Sequence, residues 1–181
     1  MTPRLPELAS ARPLADGLYG DLVWSRPGLF TRELRLESGS ELLALLRWEK
    51  LFSFEAVGES ADGRWIFGRR HAASLLGTVV VREADSQAEV ATFTRHWRGT
   101  GTLRFASGTE FTWGRSGFWR PTHVWSTPMQ PRLVAFQRSY GLRRHYLMEV
   151  DSVARGVAEL PVLVLLGGYL MVLLARRGHA H

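Results

Sequence analysis

LPVLVLLGGYLMVLLA, residues Leu160 to Ala175, carries no charge along its length and is closed by Arg176 and Arg177. Its reading decides the fold. At a rise of about 1.5 Å per residue the segment makes a helix of about 24 Å, short of the roughly 30 Å hydrocarbon thickness of a bilayer. A membrane-anchored alternative, with a span over about 157–175, brings Glu159 and Pro161 into the apolar stretch. A tail anchor of that kind also sends Arg176 and Arg177 to the translocated side, against the positive-inside tendency. A helix enclosed by a wall of strands is apolar on every face, as this one is. The enclosed reading is therefore preferred, with a core helix at about 154–176 whose inward contacts come from Val162, Leu163, Leu165, Leu166, Leu170 and Leu173. Gly167 and Gly168 then let a bulky wall residue approach the helix backbone, at a propensity cost of about 1 kcal/mol each. Tyr169 needs a hydroxyl partner, which a barrel wall supplies and a lipid core does not.

Outward from the helix, the preceding chain reads as strands. Short runs of branched and aromatic residues alternate with turn formers, the pattern of an all-β domain. Thirteen strands are expected: 18–25, 32–37, 42–48, 52–58, 64–69, 78–82, 89–97, 100–105, 110–114, 118–120, 123–126, 133–138 and 144–150. The segments Glu37-Ser38-Gly39-Ser40, Ala61-Asp62-Gly63 and Ala106-Ser107-Gly108 each offer a glycine for the positive φ of a hairpin turn. Sequential antiparallel pairing follows, and the absence of strand, long helix, strand units argues against a parallel α/β sheet. Leu42-Leu43-Ala44-Leu45-Leu46 has helical propensity, but its brevity and flanking turn favour a strand buried on both faces. The domain runs from 18 to 177, after a flexible leader over 1–17 and before a frayed tail over 178–181.

The chain has 181 residues, enough for one domain with a real core. Without cysteine it has no disulfide, thiolate metal site or cysteine nucleophile, which fits a reducing compartment. The leader lacks the apolar run of a secretory signal, so the expected location is cytoplasmic, peripheral at a membrane. All but one of the 23 basic residues are arginine, and their placement is uneven. Arg95 to Met148 holds nine arginines against the single acid Glu110, whereas Asp21 to Glu89 holds eleven acids against nine basic residues. One part of the surface should be strongly positive and suited to anionic partners.

A search for reaction chemistry finds no motif. Gly114-Arg115-Ser116-Gly117 lacks the spacing of a nucleophile elbow and reads as a turn. Gly99-Thr100-Gly101 lacks the third glycine of a dinucleotide loop. The six histidines form no metal-binding pair, and no two carboxylates are set for acid and base work. Glu149, Asp151 and Glu159 lie near the helix entrance and suit its N-terminal dipole, with Ser152 as a candidate cap. No enzyme activity, cofactor or metal is expected. Arginine interleaves with aromatic rings at Trp97-Arg98, Trp113-Gly114-Arg115 and Phe118-Trp119-Arg120. Such a segment suits anionic lipid headgroups, or single-stranded nucleic acid by stacking with phosphate contacts, but the preferred reading is that strand alternation sorts it into aromatics inward and arginines outward. Arg69-Arg70-His71 and Arg143-Arg144-His145 are the densest basic clusters, so Arg69, Arg70, Arg143 and Arg144 are the candidate anion-binding residues.

Short strands rich in Trp, Phe and Arg, a last strand ending Tyr146-Leu147-Met148-Glu149-Val150-Asp151 and an apolar C-terminal helix together resemble the tubby C-terminal-like superfamily. That group includes tubby domains, phospholipid scramblases and LURF-one-related proteins. The resemblance covers Leu18 to Arg177 and implies a closed twelve-stranded barrel around the C-terminal helix. The strand count above is then one too many, and Phe118 to Arg120 is the segment expected to merge or vanish. Tubby domains bind phosphoinositides, and scramblases are associated with lipid movement across bilayers. The basic lipid-binding positions of tubby domains find no residue-by-residue match here. The acidic calcium segment and cysteine-rich stretch of scramblases are absent, so scramblase activity is not carried over. The expectation is a noncatalytic binding or scaffold module for anionic phospholipid at a membrane surface or for a protein partner, and nucleic acid is not expected as its ligand.

Overall fold

Turn chemistry orders the strands. Gly39 and Gly108 adopt positive φ (60° and 92°) between strand pairs, as the hairpin reading requires. Gly63 does not adopt positive φ and opens a strand instead. The turn before it is closed by side chains, with the Asp62 amide donating to Ser60 Oγ at 3.1 Å. The computed structural model describes residues 6–28, 31–50, 53–70, 77–117, 122–139 and 145–177. Its strands are β1 (Leu22–Ser25), β2 (Glu33–Ser38), β3 (Glu41–Arg47), β4 (Ala56–Ser60), β5 (Gly63–Arg69) and β6 (Thr78–Glu83). There follow β7 (Glu89–Arg95), β8 (Gly101–Phe105), β9 (Glu110–Ser116), β10 (Thr122–Ser126), β11 (Val134–Arg138) and β12 (Tyr146–Val150). Each pairs antiparallel with its neighbours in sequence, and β12 pairs with β1, so the twelve close into a barrel. The expected strand at Phe118 to Arg120 lies outside the described residues, as does the tail over 178–181.

The apolar segment forms α3 (Leu160–Arg177), and the barrel encloses it. Leu163, Val164, Leu165, Leu166 and Tyr169 are fully buried, and Leu173 packs against the core at the open end. No helix among the described residues is long and apolar enough to cross a membrane. The helix starts later than expected because Pro161 belongs in a first turn, where its missing N–H costs nothing. Residues Ser152–Gly156 form a separate 3-10 turn. Its cap is Asp151, whose carboxylate accepts from the Val153 amide at 2.9 Å, and not Ser152. Glu149 is ion-paired with Arg132.

Wall and helix are joined by polar bonds within an aromatic core. Trp125 Nε1 donates to the Leu163 carbonyl at 2.8 Å. The Tyr169 hydroxyl donates to the Phe54 carbonyl, and its ring stacks on Phe67 and Trp48. Enclosure pushes the Tyr169 phenol far above its usual value. Gly167 faces the Phe136 ring and Gly168 faces Trp24 and Leu46, the close approach expected of the glycine pair.

The Leu42 to Leu46 run forms most of β3, with Leu43, Ala44, Leu45 and Leu46 all buried. Its outer face is covered by the stretch expected to be a loose leader. That stretch carries α1 (Pro6–Ala9), packed on β3 and β4, and α2 (Leu14–Gly17), packed at the start of α3. Leu8 and Leu14 are fully buried, and the Leu14 amide donates to Asp62 Oδ2 at 2.9 Å.

Candidate functional site

In a barrel of sequential antiparallel strands, all odd-numbered strands end at the same rim. Because α3 follows an even strand, its C-terminus emerges at that rim too. Five of the six odd strands carry there an aromatic residue followed two positions later by arginine. The pairs are Trp24 and Arg26, Phe67 and Arg69, Phe93 and Arg95, Trp113 and Arg115, and Phe136 and Arg138. Residues two apart on a strand share a face. All five aromatics are buried in the core, so their arginines fall at the next inward level, above the core. In the sixth sector β3 is followed by Trp48, and Arg176 from α3 lies over that ring, 5.6 Å from its centroid.

Among the described residues, hollows open in the mouth on two sides of the end of α3. Arg69 and Arg95 line a crevice of about 30 Å³ floored by Phe93, Trp113, Leu170 and Leu173. The Arg69 guanidinium lies 4.1 Å from the Phe54 ring centroid. Arg115 and Arg138 line a larger one of about 240 Å³ with His123, Tyr146, Met171 and Leu174. His123 stacks on Trp113 at 5.4 Å with 19° between the rings. Burial, and then the charge of Arg115, push the His123 imidazole below its usual value. Burial, and then Arg26, likewise lower Arg176, which donates to the Ser53 carbonyl at 3.0 Å.

The electrostatics of the two ends differ. At the end where α3 begins, arginines are matched with acids: Arg12 with Glu41, Arg64 with Glu59, Arg104 with Glu110 and Arg132 with Glu149. Carboxylates nearer the mouth are held by other arginines, Glu33 between Arg35 and Arg47, and Glu55 by Arg82. Among the described residues, Arg69, Arg95 and Arg115 have no carboxylate within 4.0 Å. No group of three or more potential metal ligands occurs among the described residues.

Of the sequence-selected residues, Arg69 belongs to this mouth. Arg70, its neighbour, does not: it is ion-paired with Glu89, which also accepts from the Thr92 hydroxyl. Arg143 and Arg144 lie outside the described residues. The expectation that strands turn aromatics inward and arginines outward fails at the rim, because a spacing of two keeps both on the inner face. Arg26, Arg95 and Arg138 were missed, although the repeated aromatic-x-Arg spacing was present to be read, and Arg115 was singled out in Trp113-Gly114-Arg115 but assigned to the outer face. Trp97, on the 3-10 turn Trp97–Gly99 between β7 and β8, is 79% exposed at the same rim.

The chain matches no protein-family model, no curated protein and no solved structure. The architecture stands on its own geometry: a closed twelve-stranded antiparallel barrel with a C-terminal helix packed inside it.

Proposed function

We propose that this protein is a noncatalytic binding module of tubby-like architecture whose arginine mouth docks on anionic lipid headgroups at a cytoplasmic membrane surface. The observation that carries the reading is the trio Arg69, Arg95 and Arg115 on the inner rim of one end of the barrel, with no carboxylate within 4.0 Å among the described residues, while Arg12, Arg64, Arg104 and Arg132 at the other end are paired with acids. Helix-dipole compensation is too small to explain them. A helix C-terminus presents about half a negative charge, and the three guanidinium groups of Arg69, Arg95 and Arg115 alone supply about six times that. The excess favours an anionic partner, and the inner leaflet of the cell membrane is such a surface. Exposed Trp97 adds an amphipathic ring of the kind that settles at headgroup depth.

The test is sedimentation of the full-length protein with phosphatidylcholine vesicles containing or lacking phosphatidylserine. Each arginine near an anionic surface contributes about 1 kcal/mol. Changing Arg69, Arg95 and Arg115 together to Ser should therefore weaken binding by about two orders of magnitude and flatten its salt dependence. Changing Arg104 and Arg132, at the opposite end, should leave it unchanged. Equal loss from both sets, or binding indifferent to salt, refutes the mouth as the docking face.

A further inference from the structure

We propose that the larger hollow in the mouth is a proton-linked site for a phosphomonoester, in which His123 takes up a proton as the anion enters. Arg115, His123 and Arg138 come from three adjacent strands, β9, β10 and β11, and His123 is in direct register with Arg115 on one side and Phe136 on the other. Arg138 lies two residues beyond Phe136 on the same face, so cationic or ionisable groups approach the hollow from three strands. One arginine satisfies a planar carboxylate through two parallel bonds. Donors converging from three strands instead suit the three terminal oxygens of a phosphomonoester. Met171, Leu174 and Ala175 of α3 provide an apolar wall for the carbon stem of the ester. The volume of about 240 Å³ is far above the roughly 10–15 Å³ that admits one water.

His123 is the unusual member. Its ring is clamped on Trp113, and its Nδ1 is buried with no hydrogen-bond partner among the described residues, a rare state for a buried polar atom. Among the described residues, the ionisable groups that line the hollow with it are Arg115 from β9, Arg138 from β11 and the Tyr146 phenol from β12, while α3 presents Met171, Leu174 and Ala175. None of these is a carboxylate, and burial together with the charge of Arg115 disfavours the imidazolium. A bound anion reverses the balance of charge around the ring and makes the imidazolium the favoured form. Binding then consumes a proton, and affinity rises as pH falls, by up to tenfold per unit, in the window between the imidazole's value in the anion complex and its lowered value in the protein alone.

This inference names the chemistry of one pocket inside the mouth and does not require that the rim touch a bilayer. The first probe is sulfate, which does not titrate near neutral pH. The second is glycerol 3-phosphate, and the third is vesicles carrying phosphatidate or an equal charge of phosphatidylserine. Calorimetry in buffers of different ionisation enthalpy should show proton uptake on sulfate binding to the full-length protein. His123→Gln should abolish that uptake and the pH slope, and Arg115→Gln, at the exposed rim, should weaken sulfate at every pH. Glycerol 3-phosphate bound with the same dependence, and phosphatidate no better than phosphatidylserine, supports the site with a soluble ester as its ligand. Phosphatidate preferred, with the preference lost in His123→Gln, supports it with a lipid headgroup. If vesicles bind by charge alone while neither soluble anion binds, or both bind without proton uptake, the pocket inference is overturned and the docking reading survives.

Discussion

Gly167 and Gly168 stand side by side on α3, yet alanine should act differently at the two positions. A Cβ at Gly167 would lie 2.1, 2.4 and 2.9 Å from three carbons of the Phe136 ring. Carbon atoms reach optimal contact near 3.5–4.0 Å, so the ring would have to retreat by more than about 1 Å. It has nowhere to go, being fully buried and packed on Trp113 at 5.6 Å between centroids. A Cβ at Gly168 would lie 3.0 to 3.1 Å from Trp24 and from the Cδ1 of Leu46, which yields by rotating. Replacing helical glycine by alanine gains about 1 kcal/mol of propensity at either site. Overpacking a tight core costs about 1–3 kcal/mol, and the Gly167 clash is at the upper end. Gly167→Ala should therefore lose about 2 kcal/mol net, whereas Gly168→Ala should stay within about 1 kcal/mol of wild type.

Equilibrium urea unfolding followed by tryptophan fluorescence reads the difference as a change in midpoint at constant slope. A double-mutant cycle isolates the contact. Phe136→Leu shortens the ring, so Gly167→Ala in that background should cost at least about 1 kcal/mol less than alone. The reasoning is refuted if both alanines stabilise, as they would on a helix free of the barrel wall. It is also refuted if the cycle shows no coupling, because Phe136 would then not be the residue against Gly167.

Two further outcomes follow from burial. Leu166 is fully enclosed, and Leu166→Arg would leave an unpaired charge there, at a cost of several kcal/mol against a total stability of about 5–15 kcal/mol. The β-rich circular dichroism of the full-length protein should be lost, as it should in a chain truncated after Glu159, whereas a folded truncation would show that the helix is dispensable to the core. Because burial and Arg115 hold His123 below its unfolded value, the unfolded chain binds more protons in the window from about pH 6.5 down to the folded value. Stability should fall there by at most about 1.4 kcal/mol per unit as pH is lowered, and His123→Gln should remove that component of the slope measured by urea unfolding.

The core was legible because its signals are local. An apolar stretch too short to span a bilayer, Leu43 to Leu46 apolar on both strand faces and a mid-helix glycine pair each report burial without knowledge of their partners. The mouth was harder to read because it is assembled from five segments related only through strand direction and register. Arg69 and Arg70 are adjacent in sequence, but one lines the mouth and the other pairs with Glu89. Density of charge along the chain selected both, whereas parity against the preceding buried aromatic selects only the first. The N-terminal helices were missed for a related reason. Leu8 and Leu14 lie among prolines without periodicity, and what buries them is supplied by β3, β4 and α3.

The rim arginines also separate the demands of binding from those of stability. A surface shaped for stability alone would interleave acids, as the opposite end does with Arg104 and Glu110 or Arg132 and Glu149. On the inner rim of the mouth Arg69, Arg95 and Arg115 have no carboxylate within 4.0 Å among the described residues, and burial, then Arg26, disfavours the charged form of Arg176. On the proposed reading an anion would relieve such crowding, so the repulsion that weakens the protein alone would strengthen its hold on a ligand. The triple change of Arg69, Arg95 and Arg115 to Ser should therefore leave the folded state no less stable while it removes binding. Loss of both together would mean that these residues belong to the architecture and not to the site.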